Sequence, residues 1–266
     1  MEELHTYRMD LAFNGSNYGG WQCQTNGTLT VQSVVEETLR RITGEDKLHV
    51  SACSRTDKGV HALCMSTSFY TEKSLDVEKV SFCMNKQLPH DIRLEKLFTV
   101  PPGFNAHKNA LGKAYIYAVN TGYYNLFLRQ GCWSWHDVKS VELLADLLPL
   151  LEGTHDFRSF TGADITAINP LRTVYRAEMI SFGPVHCFYF AGNGFLYKMV
   201  RRIVGALYEV ASGKRSADFF RDRIRFPETP PDSVTVAPPE GLYLKKAFYE
   251  EGQWLCDSVE IPPFFH

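Results

Sequence analysis

The stretch SACSRTDKGVHAL, residues 51–63, sets a single carboxylate, Asp57, two residues after Arg55 and directly before Lys58 and Gly59. Upstream, Leu48, Val50 and Ala52 alternate with more polar neighbours. Downstream, Val60 to Tyr70 is rich in small, β-branched and aromatic residues, so both flanks read as strand. Gly59 supplies the freedom that a tight reversal with positive φ needs. Asp57 is therefore expected on a short loop between strands, a position from which side chains act on ligands. Taken alone, the local pattern favours an Asx-type turn in which the carboxylate only shapes the backbone.

Working outward, Tyr7 to Phe13 alternates like a strand and runs into the glycine-rich turn NGSNYGG at 14–20. TVQSVVEETLRRITG then places Val31, Val34, Val35, Leu39 and Ile42 on one helical stripe, with Gly44 as the stop. DVEKVSFCMNKQLP from Asp76 reads as a second helix ended by Pro89, and IRLEKLFTV as a strand before Pro101 and Pro102. The second half repeats the order loosely. KAYIYAVNTG from Lys113 reads as a strand, VKSVELLADLLPLLEG from Val138 as an amphipathic helix, and TVYRAEMISF and VHCFYFAGN as strands. A long basic helix is expected over 194–212, and a closing strand at GLYLKKAFY.

Strands and helices alternate with hairpin-like connections, which predicts an α+β fold of two α/β halves with antiparallel or mixed sheets. The PPG punctuation sets the expected division at 1–103 and 104–266. Two such halves facing each other would form a cleft, and clefts between domains are common ligand sites.

In the long helix, Leu196, Met199, Val200, Ile203, Leu207 and Val210 form the apolar stripe, while Lys198, Arg201, Gly205 and Tyr208 fall on a neighbouring face. A mid-helix glycine costs about 1 kcal/mol relative to alanine. Gly205 is therefore expected to admit a close neighbour beside Arg201, which points at something specific.

Composition narrows the setting. Hydrophobic residues make up 44% of the 266-residue chain and charged residues 22%, as in an ordinary globular protein. No apolar run is long enough to span a membrane. The opening MEELHTYRMD has no apolar core of a secretory leader. The seven cysteines, at 23, 53, 64, 83, 132, 187 and 256, are scattered without a C-x-x-C pair, which argues against a zinc ribbon or a disulfide framework and for the cytosol. The net charge of -2 hides a local excess: between Phe195 and Arg225 eight basic residues face three acidic ones, a patch able to attract phosphates. A solvated helix face is the plain alternative.

Several segments agree on one family. SRTDKGVHA is similar to the signature G-R-T-D-x-G-V-H-A of the TruA family of tRNA pseudouridine synthases, with Ser54 at the first glycine. FNGSNYGGWQCQ from Phe13 resembles the family's opening block. EGTHDFRSF, PLRTVYRA, GNGFLYKMVRRIVGAL and APPEGLYL resemble its later blocks, in the family's order.

The resemblance implies two α/β halves around a cleft and isomerisation of uridine to pseudouridine in tRNA, at positions 38–40 of the anticodon stem-loop, without cofactor or metal. It also implies a homodimer, which the cysteine pattern places in the cytoplasm. On the matching positions it makes Asp57 the nucleophile and Arg201 its ion-pair partner. Tyr115, Arg55, Leu242 and Arg202 become substrate contacts, with Leu242 beneath the base. An ionised carboxylate can attack the sugar C1′ or the uracil C6, or assist loss of the base to a glycal, and the three routes stay open. A guanidinium beside it favours the charged form and fixes its aim. A stacked uridine must be flipped out, and an aromatic ring such as Tyr115 offsets about 1 to 3 kcal/mol of that cost. His61 is expected to support the loop by hydrogen bonding. His107, where relatives carry arginine, together with Lys113 and Lys58, bears on which uridine is chosen.

Two rivals remain. A non-catalytic RNA-binding or chaperone protein would keep the cleft and not the reaction. A nucleoside-bond hydrolase would need a second carboxylate across the scissile bond, and no motif marks one.

Overall fold

The computed structural model describes residues 4–162, 168–228, 234–259 and 261–262. In chain order the regular elements are β1 (His5–Phe13), α1 (Val31–Thr43), β2 (Ser51–Ala52), β3 (His61–Thr71), α2 (Val77–Gln87), β4 (Ile92–Thr99) and β5 (Gly112–Asn120). They continue as β6 (Trp133–Ser134), β7 (Gly153–Asp156), β8 (Leu171–Phe182), β9 (Val185–Gly192), α3 (Met199–Ala211), α4 (Ala217–Arg225) and β10 (Leu242–Phe248). The fold is α+β with mixed sheet, as the sequence predicts. The chain divides into one compact unit of Met1–Leu111 with Tyr243–Tyr249, and another of Gly112–Leu242 with Glu250–His266.

In the first unit β1 runs antiparallel to both β3 and β4, while β10 returns from far along the chain to lie parallel to β3, pairing Tyr243 with His61 and Leu244 with Ala62. The period-two pattern of β1 buries Tyr7, Met9, Leu11 and Phe13, and Tyr7 stacks on Phe69 of β3. Thr30 and Ser33 close a capping box at the start of α1, and Gly44, at φ 69, ends it in the left-handed conformation. Asp76 caps α2 by accepting from the Lys79 N–H. Pro89 keeps Leu88 extended and stops that helix.

The strand expected from Leu48 shrinks to the two residues of β2, and the reason lies in α1. Buried Glu36 takes the Val50 N–H at 2.9 Å, Gln32 donates to the Val50 carbonyl at 3.2 Å, and Arg40 donates to the Leu48 carbonyl at 2.8 Å. Helix side chains therefore occupy the groups a sheet ladder would have used.

In the second unit β9 pairs antiparallel with β5 and β8, β7 with β8, and β6 lies parallel to β5. β9 is buried along its whole length, and so is nearly all of β5. Two helical expectations are corrected. Residues 138–153 form no α-helix but two 3₁₀ turns, Glu142–Leu144 and Leu148–Leu151. Pro149 has no N–H to continue a helix and disfavours helical geometry before it, so the segment settles for i to i+3 bonds. It still buries Leu144, Leu147, Leu148 and Leu151. The long helix begins at Met199 rather than Gly194, because Lys198 stands at φ 59 and ψ 12, the one non-glycine residue with positive φ among those described. α4, a helix not expected from the sequence, packs on α3. No described helix is long and apolar enough to cross a membrane.

Candidate active site

Asp57 sits where the chain reverses between β2 and β3. The Cys53 N–H extends their ladder to the Ser66 carbonyl at 2.8 Å. The reversal itself is the turn 57–60, closed by the Val60 N–H donating to the Asp57 carbonyl at 3.1 Å, with Gly59 at φ 80 in the third position, as a type II turn requires. Arg55 and Lys58 on the same loop are exposed, whereas Asp57 is half-buried and Thr56 buried.

The glycine-rich turn before α1 cradles this loop. The Trp21 N–H donates to the Thr56 carbonyl at 3.1 Å. Gly20, at φ 101, lies so close that a Cβ on it would stand 2.5 Å from the Thr56 carbonyl oxygen and 3.1 Å from the Asp57 carbonyl carbon. A Cβ on Gly15 would meet the Val60 oxygen at 2.0 Å. Only glycine lets the two backbones approach this closely. Buried His61 accepts the Gly15 N–H on Nδ1 at 3.1 Å and stacks on Tyr243 with centroids 4.8 Å apart. It supports the loop by hydrogen bonding, as the sequence predicts. Trp21 is buried and stacks on Phe13, a packing role, while Gln24 ties back to the Gly19 carbonyl.

In the second unit, Arg201 projects from the first turn of α3, half-buried, and its Nε donates to the Ala237 carbonyl at 2.7 Å while the Ala237 N–H returns to the Arg201 carbonyl at 3.1 Å. The neighbour that Gly205 admits is this same segment: a Cβ there would lie 1.8 Å from the Thr235 oxygen. Glu209, one turn further, accepts from the Thr235 N–H at 2.9 Å and the Thr235 hydroxyl at 2.6 Å. The segment then threads past β5, where the Tyr117 hydroxyl donates to the Pro238 carbonyl at 2.7 Å, and delivers Leu242, buried, to the head of β10. Tyr115 lies on β5 opposite Phe190, nearly buried, with Phe195 edge-on to its ring at 5.2 Å. Arg202 is buried, its guanidinium beside Gly162.

His107 is exposed on a pinned segment. The Tyr249 hydroxyl donates to the Ala106 carbonyl at 2.9 Å, and the Ala106 N–H donates to Ser68 Oγ at 3.0 Å. No sequence motif marks Asp91, which accepts from the Tyr18 hydroxyl at 2.6 Å behind the glycine-rich turn, or the Glu209–Thr235 contact. Burial holds three thiols well above their ordinary range, Cys64 and Cys187 at about 12 and Cys132 at about 11, so none of them is a ready nucleophile. Among the described residues no three His, Cys, Asp or Glu side chains gather to hold a metal ion.

A family model described as tRNA pseudouridine synthase matches residues 11–106 and 148–250, which include Asp57, Arg201 and Leu242. The chain is 35% identical over 258 residues to tRNA pseudouridine synthase A 1 of Protochlamydia amoebophila (strain UWE25), covering 96% of this chain and 100% of that protein. It is 38% identical over 242 residues to tRNA pseudouridine synthase A of Geobacillus kaustophilus (strain HTA426), covering 91% and 93%. With the counterpart from Lacticaseibacillus casei (strain BL23) it shares 36% over 247 residues, covering 91% and 99%. The chain belongs to the tRNA pseudouridine synthase family.

Proposed function

We propose that the chain isomerises uridine to pseudouridine at positions 38–40 of the tRNA anticodon stem-loop, with Asp57 as nucleophile and without cofactor or metal. The observation that carries the reading is the Asp57 loop. The residues that match the family signature lie on a reversal whose backbone is fixed by Trp21, Gly20 and Gly15, so the carboxylate is presented on a stiff support. Reactions in which a nucleophile must meet one atom of a flipped base depend on such preorganisation.

In the reaction the N1–C1′ bond breaks, the uracil turns over while held, a C5–C1′ bond forms, the C5 proton leaves and N1 gains one. Atoms are conserved, so no oxidant or co-substrate is required. Each of the three routes needs Asp57 ionised, and Arg201 is assigned to pair with it and set its aim. The contacts of the Arg201 Nε and of Gly205 with residues 235–237 support that assignment, because they fix the guanidinium's rotamer. Tyr115 is assigned to stack on the flipped uracil, Leu242 to lie beneath it, and Arg55, exposed on the nucleophile's own loop, to hold the RNA together with Arg202. The working form is assigned as a cytoplasmic homodimer.

The experiment is to incubate the protein with an unmodified tRNA transcript and map pseudouridine along it. Pseudouridine confined to the 3′ side of the anticodon stem-loop supports the reading. Pseudouridine elsewhere would move the specificity, and free uracil or no product would overturn the activity.

A further inference from the structure

The loop from Thr121 to Gly131, between β5 and β6, displays a concentrated group of large apolar side chains: Tyr123 is 99% exposed, Phe127 89%, Tyr124 57% and Leu126 55%. The loop is not slack. Asn120 donates through Nδ2 to the Tyr123 carbonyl at 3.2 Å and accepts the Gly122 N–H at 3.0 Å. Asn125 accepts the Phe127 N–H on its side chain at 2.9 Å and the Leu128 N–H on its carbonyl at 3.1 Å. The Thr121 N–H is anchored on the Pro184 carbonyl at 2.9 Å. A fixed backbone that holds aromatic rings almost wholly in water calls for a partner.

The chemistry of the loop selects that partner. TGYYNLFLRQG carries exposed Arg129 and no acid, so its charge is positive. A two-fold contact with a second copy would bring identical cationic loops together, whereas a polyanion meets them favourably. Rings projecting singly from a loop offer faces to unpaired bases, and an adjacent arginine suits a phosphate. We propose that this loop is an accessory tRNA contact, in which Tyr123 and Phe127 stack on unpaired bases and Arg129 meets the backbone. The inference rests on the proposed function for the identity of its RNA. β5 rises about 3.3 Å per residue, which sets Asn120 about 17 Å along the strand from Tyr115. The loop is therefore too far from Tyr115 to touch the base stacked there, and it contributes to binding rather than to chemistry.

The test uses the full chain, an unmodified tRNA transcript, and four proteins: wild type, Tyr123→Ser/Phe127→Ser, Phe127→Tyr and Arg129→Gln. Equilibrium tRNA binding over a range of salt is measured beside steady-state turnover and sedimentation. The serine pair is expected to weaken binding about tenfold and raise KM to match, with kcat and thermal midpoint unchanged. Phe127→Tyr keeps a ring and should bind like wild type. Arg129→Gln should lower the slope of log affinity against log salt by about 1. Wild-type affinity in the serine pair would overturn the proposal. So would a wild type that self-associates, a serine pair that does not, and an unchanged salt slope in Arg129→Gln, which together assign the loop to a second copy. A wild type that binds tRNA through these rings but makes no pseudouridine would overturn the function alone.

Discussion

The Tyr18 hydroxyl donates to Asp91 Oδ1 at 2.6 Å, and that bond ties the glycine-rich turn under the Asp57 loop to the entry of β4. Asp91 also accepts from Asn17 Nδ2 at 3.1 Å, and its carbonyl takes the Asn14 N–H at 2.9 Å. The turn is thus held from behind by Asp91 while its other side holds the loop. Tyr18→Phe removes one hydrogen bond to a charged group, a loss of about 1.5 to 3 kcal/mol, with the lower end expected because Asn17 and water still reach the carboxylate. Urea unfolding should show that loss. Turnover is expected to show a reduced kcat with KM for tRNA unchanged, because the lost bond supports the turn that holds the Asp57 loop.

Alkaline stability depends on wholly or partly buried tyrosines, Tyr18, Tyr189 and Tyr249 foremost and Tyr175 with them. Burial is the largest cause pushing Tyr18, Tyr189 and Tyr249 above the ordinary tyrosine range, and Asp91 and Asp257 add to it at Tyr18 and Tyr189. A group whose pKa rises on folding favours the native state fully below its unfolded pKa, about 10 for tyrosine, and loses that contribution as pH climbs beyond it toward the folded value. The thermal midpoint is therefore expected to hold up to about pH 10 with respect to these groups and to fall above it. Tyr18→Phe should make the fall shallower. A midpoint that rises above pH 10 would contradict the assignment.

Gly205→Ala tests the support of Arg201. A methyl at that position would stand 1.8 Å from the Thr235 oxygen, so residues 235–237 must move off the helix and take with them the carbonyl that receives the Arg201 Nε. Overpacking of this kind costs about 1 to 3 kcal/mol. Chemical denaturation should show it, and pseudouridine formation should fall further than the lost stability explains.

His61 can be separated from a general base by isostere. His61→Ala leaves the buried Gly15 N–H without its acceptor, a loss of about 1 to 3 kcal/mol, and also removes the stack on Tyr243. Asparagine places a carbonyl oxygen near the position of Nδ1. His61→Asn is therefore expected to recover most of the stability and activity that the alanine variant loses. Equal inactivation of both variants, with stability intact, would assign the imidazole to the chemistry instead.

The Asp57 loop, the period-two strand β1 and the capped helix α1 were legible in the sequence, because each is decided by residues a few positions apart. Gly205 was legible because a helix-interior glycine is costly without a neighbour, and that neighbour is residues 235–237. The shortness of β2 was hidden because it depends on Gln32, Glu36 and Arg40 reaching across from α1. Pro149 is visible, yet the leucine spacing around it also matches a helical stripe, and spacing alone does not register the missing N–H. The late start of α3 turns on one backbone angle at Lys198, a residue type that rarely adopts it. Asp91 lay out of reach because its partners are 73 and 74 residues away and form no pattern with it. α4 is masked in the sequence by the basic patch it belongs to, although Ser216 before it and Asp218 in its first turn are start signals.

The proposed role of Asp57 in the chemistry is tested by Asp57→Asn. The variant keeps the size and turn geometry of the residue and removes the charge. Both proteins are given tRNA tritiated at uridine C5, and release of tritium to water is followed while tRNA binding is measured in parallel. Sustained release by the wild type, none above background by Asp57→Asn, and binding by both are expected. Release by Asp57→Asn at the wild-type rate would contradict that role.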